Sequence, residues 1–331
     1  MNRRAASAYT SNMLNMMLNS IVPVFVVMAL GYFAGWTRDI DNHHVAELNA
    51  LVMDFAVPAS LFIVTVQTPR ALLLQQGPLI AILAISMLVI YGLIFFLQRR
   101  LFKLDTRQAA VQSLTVAFPN IAAVGLPLMS SVFGAGKTFS VGIAIAVGSI
   151  VLSPLTLVLL ESGAETAHDI PPRQRIIKSI GKSVLKPVVI APVVGMALSL
   201  CGLALPPLLV TSLSQIGVGA GGVALFLTGL ILSSQPFNLN RNVASGILLK
   251  NIVQPLVAAA LVATLATTPL TGYEAIILCA APSGFFGILF GLRYGVIARD
   301  AGSTLFATSI LSAATLPVAI LLTVGTQGGV K

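Results

Sequence analysis

Two dipeptides, Pro119-Asn120 and Pro282-Ser283, hold the clearest chemical potential in this chain. Each stands in the middle of a long apolar run. The first run reads Ala117-Phe118-Pro119-Asn120-Ile121-Ala122-Ala123-Val124-Gly125-Leu126-Pro127-Leu128, and the second Ala280-Ala281-Pro282-Ser283-Gly284-Phe285-Phe286-Gly287. Proline removes a backbone donor and clashes with the carbonyl four residues earlier, so a helix through either run should break there. Broken backbone is costly in hydrocarbon and is tolerated where it is buried in protein or lines a water-filled cavity. In such places the free amides of a starting half-helix point at anionic groups. Asn120 can either cap its half-helix or donate its amide to a carboxylate, and Ser283 holds the equivalent position. For one isolated Pro-Asn, a kink with a cap is the simpler reading. The matched pair favours a site for a small organic anion.

Lys250 and Asp54 are ionisable residues inside other apolar runs. A charge at the bilayer centre costs about 2.5 to 3.5 kcal/mol on insertion scales, which makes both functional suspects. Lys250 could neutralise a substrate anion or replace a coupling cation, and Asp54 could be a proton site. The plainer alternative has Lys250 snorkelling to the cytoplasmic face and Asp54 capping or pairing locally. Gly217, Gly219, Gly221 and Gly222 fit close helix packing better than substrate contact.

These residues need a membrane to sit in. Of 331 residues, 56% are hydrophobic and 9% charged, against about 45 to 50% and about 25% in soluble domains. The net charge of +9 falls in short clusters between apolar runs, without a basic face, which argues against nucleic acid. Cys201 and Cys279 have no CxxC spacing, and His43, His44 and His168 fall in loops, so no metal site is expected. Nor is a phosphate-binding loop present. No cofactor is expected, and the energy source would be a sodium or proton gradient or the substrate's own gradient. Arg3 and Arg4 precede an apolar stretch without a cleavage pattern, which predicts an uncleaved first helix.

At about 20 apolar residues per crossing, ten spans are expected: roughly 18–36, 46–66, 78–97, 109–133, 139–160, 184–203, 208–232, 243–266, 273–296 and 303–324. Trp36 and Tyr273 stand at span ends as interface anchors. Alternate connections carry thirteen and five Lys and Arg residues. Cytoplasmic loops hold the excess, which places both termini in the periplasm and the central loop in the cytoplasm of a bacterial inner membrane. The halves also repeat. Pro23 and Pro187, Gly31 and Gly195, and Leu61-Phe62 and Leu225-Phe226 are offset by 164, while Pro119 and Pro282, and Pro154 and Pro317, are offset by 163. The expected organisation is a first five-helix repeat over 13–161, a linker over 162–183 and a second repeat over 184–325. Five crossings per repeat is an odd number, so the second is inverted relative to the first.

Phe118-Pro119-Asn120, Gly125-Leu126-Pro127-Leu128 and Ala281-Pro282-Ser283-Gly284, with ten spans and a central loop, resemble the auxin efflux carrier family over nearly the whole chain. That family includes plant auxin exporters and bacterial malonate and malate permeases. The resemblance implies an all-α fold similar to bile-acid symporters and sodium-proton antiporters, with spans four and nine discontinuous and crossed. It implies a scaffold of spans one, two, six and seven, forming a homodimer, and a moving transport domain of the other six. It makes Asn120 the main carboxylate ligand and Pro119 and Pro282 the crossing point, with Ile121, Ser283 and Gly284 completing the substrate site. Plant members usually carry a glutamine where Ser283 stands, and their central loop is far longer than the roughly twenty residues here. A short carboxylate such as malonate or malate therefore fits better than auxin.

Two other classes compete with a carrier. An intramembrane enzyme lacks support, since no histidine lies in a span, Asp54 has no acidic partner at its depth, and no serine or cysteine has an evident base. A membrane sensor that binds a carboxylate without net flux would use the same site, but the short linker and missing cytoplasmic domain disfavour it. Flux against binding separates the two.

Overall fold

The structure is a computed structural model that describes residues 22–23, 25–42, 45–162, 185, 187–234, 237–265, 267–296 and 298–323. The expected linker beyond Ser162, together with His43, His44, His168, Arg3, Arg4 and both termini, lies outside the described residues. Within the described part, every regular element is a helix. Apart from the short turns Arg70–Leu74 and Ala135–Lys137, these are in chain order α1 (Phe25–Trp36), α2 (Ala46–Gln67), α3 (Gly77–Arg100), α4 (Thr106–Ala117), α5 (Ile121–Phe133), α6 (Phe139–Ser162), α7 (Pro187–Leu200), α8 (Pro207–Ser234), α9 (Arg241–Thr264), α10 (Pro269–Ala280), α11 (Phe286–Arg293) and α12 (Arg299–Thr323).

Six of them, α2, α3, α6, α8, α9 and α12, are long and apolar enough to cross a membrane, while α1, α5, α7 and α10 are shorter apolar helices. The two runs expected to break do so, giving α4 with α5 and α10 with α11. Their starts lie earlier than hydropathy suggested. Asp105 caps α4 by accepting the amides of Arg107 and Gln108, and Thr268 caps α10 by accepting the amide of Thr271. Capping satisfies orphan amides in polar first turns that an apolar window passes over.

Proline shapes three further places. Wide π-turns occur at Leu51–Ala56, Ile121–Gly125 and Leu249–Val253. Each is followed two residues later by Pro58, Pro127 or Pro255 at the start of an α segment. A proline cannot donate to the carbonyl four residues back, here those of Asp54, Ala123 and Asn251, so the preceding turn relaxes to a wider ladder. Asp54, Ile121 and Lys250 all lie in these turns.

Matched glycines set the contacts among α1, α2, α7 and α8. Gly31 of α1 lies so close to α8 that a Cβ would fall on the carbonyl oxygen of Phe226. Gly195 of α7 lies against α2 in the same way, where a Cβ would meet Thr65 and come within 2.8 Å of the Phe62 carbonyl oxygen. Small residues allow helix backbones to approach this closely. The paired glycines and the paired phenylalanines are each 164 positions apart, so one packing motif occurs twice.

Candidate functional site

Helix α4 stops at Ala117, and Phe118 turns extended with φ −94° and ψ 103°. Opposite it, α10 stops at Ala280 and Ala281 extends with φ −55° and ψ 146°. The two extended stretches run antiparallel, with Pro119 bridged to Ser283. The amide of Asn120 donates to the Pro282 carbonyl at 2.8 Å, and the amide of Gly284 donates to the Phe118 carbonyl at 2.8 Å. Each break thus supplies a hydrogen-bond partner that the other lost, which answers the cost of bare peptide groups in an apolar surround. Glycine is required at 284, where a Cβ would stand 2.5 Å from the Phe118 carbonyl oxygen. The Phe118 and Phe286 rings stack at 4.8 Å behind the crossing.

Asn120 is 2% exposed. Although it begins α5, its side chain makes no capping hydrogen bond. Its Nδ2 points across to α8 and donates to Thr228 Oγ1 at 3.4 Å, a long and weak bond. Asn120 is therefore not a helix cap. The hydroxyl of Ser283 is buried without a partner among the described residues, while its backbone amide donates to Thr308 Oγ1 on α12 at 3.3 Å. Pro119, Asn120, Ile121, Pro282, Ser283 and Gly284 are thus together and buried at one crossing.

Lys250 does not snorkel. It is fully buried, and its Nζ donates to Gln254 Oε1 at 2.6 Å and to the Cys279 carbonyl at 3.1 Å. Gln254 Nε2 in turn donates to the Ala117 carbonyl at 2.9 Å. Ala117 and Cys279 lie at the carboxyl ends of α4 and α10, where partial negative charge of the peptide dipoles collects. The ammonium and one amide side chain therefore hold the ends of both interrupted helices.

Asp54 is elsewhere. It is exposed on the outward side of α2 beside exposed Leu51 and Phe55, so it neither caps nor pairs among the described residues and does not reach the crossing. The sequence also hid a buried acid. Glu274, in the first turns of α10, is 2% exposed and forms an ion pair with Lys137 Nζ at 3.3 Å. By sequence, Lys137 is loop charge and Glu274 stands too near a span end to count as an intramembrane charge.

Gln254 could have been found, since it stands four residues after Lys250 and shares its helix face. Thr228 and Thr308 gave no sequence signal, because each meets its partner only through the tertiary fold. Among the described residues no group of three His, Cys, Asp or Glu side chains could hold a metal ion.

Comparison with known proteins decides the family. The sequence matches the membrane transport protein family over residues 16–320. The chain belongs to that family. The auxin efflux carrier resemblance is the same grouping. Among curated relatives, "Uncharacterized transporter YfdV" of Escherichia coli (strain K12) is 29% identical over 309 residues, covering 90% of this chain and 95% of the relative. The Shigella flexneri protein of that name matches equally. A "Putative malonate transporter" of Rhizobium meliloti (strain 1021) is 22% identical over 298 residues, covering 89% and 92%. The chain is thus a multi-pass membrane protein of a transport family, and six of its helices are long and apolar enough to cross a bilayer.

Proposed function

We propose that this family member is a secondary transporter of a small organic anion, a mono- or dicarboxylate of malonate size. The carboxylate is received at the crossing of α4–α5 and α10–α11. The observation that carries this reading is the buried asparagine at the start of a half-helix, making no capping bond and donating a long bond to Thr228. An amide donor beside the positive end of a half-helix suits an anion. Ser283, whose hydroxyl has no partner among the described residues, offers a second polar group. Lys250 supplies the compensating charge that the sequence suggested, whether toward the anion or in place of a coupling cation. The name of the Rhizobium relative agrees with a short dicarboxylate.

The same reading arranges the chain as ten spans in two inverted repeats, with a scaffold of α1, α2, α7 and α8 and a transport domain of the remaining helices that slides past it in an elevator-type cycle. The twice-repeated glycine contact among the scaffold helices supports this division. A homodimer through the scaffold would shelter Asp54, whose position on an outward apolar face is costly against lipid. The distribution of Lys and Arg supports an inner-membrane orientation with both termini in the periplasm.

The test is uptake of labelled mono- and dicarboxylates into proteoliposomes, with sodium and proton gradients varied independently. Wild-type protein should accumulate one of them, and Asn120→Ala should reduce uptake to background while eluting as a folded species. Uptake by Asn120→Ala at the wild-type rate would remove the crossing from the mechanism.

A further inference from the structure

Thr228 is fully buried in α8, and its hydroxyl has two engagements. It donates to the Ala224 carbonyl one turn earlier at 2.8 Å, and it accepts from Asn120 Nδ2 at 3.4 Å. With its proton committed to Ala224, the oxygen presents only lone pairs to the crossing. It therefore faces Asn120 as an acceptor, which is what a carboxylate oxygen would be.

The face of α8 that carries Thr228 includes small residues on its N-terminal side. Gly221, Ala224 and Thr228 fall at helical spacing on one side. At the Gly221 end, a Cβ would lie 3.4 Å from Pro127 Cδ and 3.6 Å from Leu126 Cβ of α5. Close to this contact, the Thr228 hydroxyl accepts a long hydrogen bond from the residue assigned to the substrate.

We propose that Thr228 is an internal competitor for the substrate's carboxylate. In the empty protein it occupies the Asn120 amide and ties α5 to α8, and an arriving anion displaces it and frees one helix from the other. This rests on the proposed function, with α8 in the scaffold and α5 in the moving part. A residue that helped to bind substrate would weaken binding when removed. A competitor does the reverse, because its loss destabilises only the empty state. Polar contacts between membrane helices average about 0.6 kcal/mol, which converts to about threefold in affinity.

The experiment has an arm without ligand and an arm with one. In full-length protein carrying Cys201→Ser, Gly221→Cys and Leu126→Cys place two thiols at a separation that a disulfide can span. Adding Thr228→Val should slow oxidative cross-linking of the empty protein by about threefold, whereas Thr228→Ser should leave the rate unchanged. An equal rate in the valine variant overturns the proposal. On the native cysteine background, malonate binding is measured for wild type, Thr228→Val, Thr228→Ser and Asn120→Ala. Tighter binding by the valine variant alone, with binding lost in Asn120→Ala, supports the competitor role, and general structural damage would not tighten a site. Weaker or unchanged binding by Thr228→Val, with Asn120→Ala defective, overturns the competitor role and leaves the proposed site standing. Malonate binding by Asn120→Ala at wild-type strength overturns both.

Discussion

The two breaks at the crossing are alike in backbone and unlike in side chains. Each contains a proline, each extends for a few residues, and each supplies a hydrogen bond to the other. Yet Asn120 reaches out to α8 through its amide, while the Ser283 hydroxyl has no partner among the described residues and its backbone amide contacts Thr308 of α12. The two breaks therefore share the proline that opens a helix, whereas the chemistry placed in the opening differs between them. The break in α4–α5 engages a helix of the proposed scaffold, and the break in α10–α11 engages one of its own proposed transport domain.

The shared backbone is the most exposed to damage. Gly284→Ala forces a Cβ against the Phe118 carbonyl, and overpacking at a backbone contact costs about 3 kcal/mol or more. The variant should fail to yield monodisperse protein by size-exclusion chromatography, and normal yield and melting would show that the crossing is looser than described. Lys250→Met comes next. It leaves Gln254 Oε1 and the Cys279 carbonyl without the ammonium, a penalty of about 1 to 3 kcal/mol, read as a lower thermal midpoint. Uptake should fall about tenfold or more, since about 1.4 kcal/mol is already a factor of ten. Unchanged uptake with unchanged ion and pH dependence would reduce Lys250 to a structural prop for both breaks. The smallest effect separates the breaks from each other. Ser283→Ala removes a hydroxyl that has no partner among the described residues, so the melting midpoint should stay within the equivalent of about 0.5 kcal/mol while carboxylate uptake falls a few-fold. A clear loss of stability would mean that the Ser283 hydroxyl contributes to holding the crossing together.

What the sequence made legible follows from how far each effect travels. Proline acts on the carbonyl four residues away, so both breaks could be placed from the chain alone. The same local rule accounts for the π-turns before Pro58, Pro127 and Pro255, although hydropathy and proline position together point only to the breaks. Composition was enough for the membrane and for most helices. The site's partners were beyond reach because Thr228 and Asn120 are 108 positions apart and Gln254 and Ala117 are 137 apart. Lys250 looked able to snorkel because its stem is long, and the fold overruled this by offering it the Gln254 side-chain oxygen and the Cys279 carbonyl at the end of one interrupted helix. Glu274 escaped notice for the opposite reason. Standing near the start of its helix it resembles boundary charge, until Lys137 from the other half of the chain covers it.

The exchange of amide and carbonyl at the crossing has a consequence for biogenesis. Residues 118–120 leave the ribosome more than 150 positions ahead of residues 282–284, and throughout that interval the earlier opening has no complement from its later counterpart. A fragment ending before α10 should therefore be a substrate for membrane proteases, and supplying the missing portion as a separate polypeptide should protect it. Synthesis of the C-terminal half would then act as the quality check on the N-terminal one.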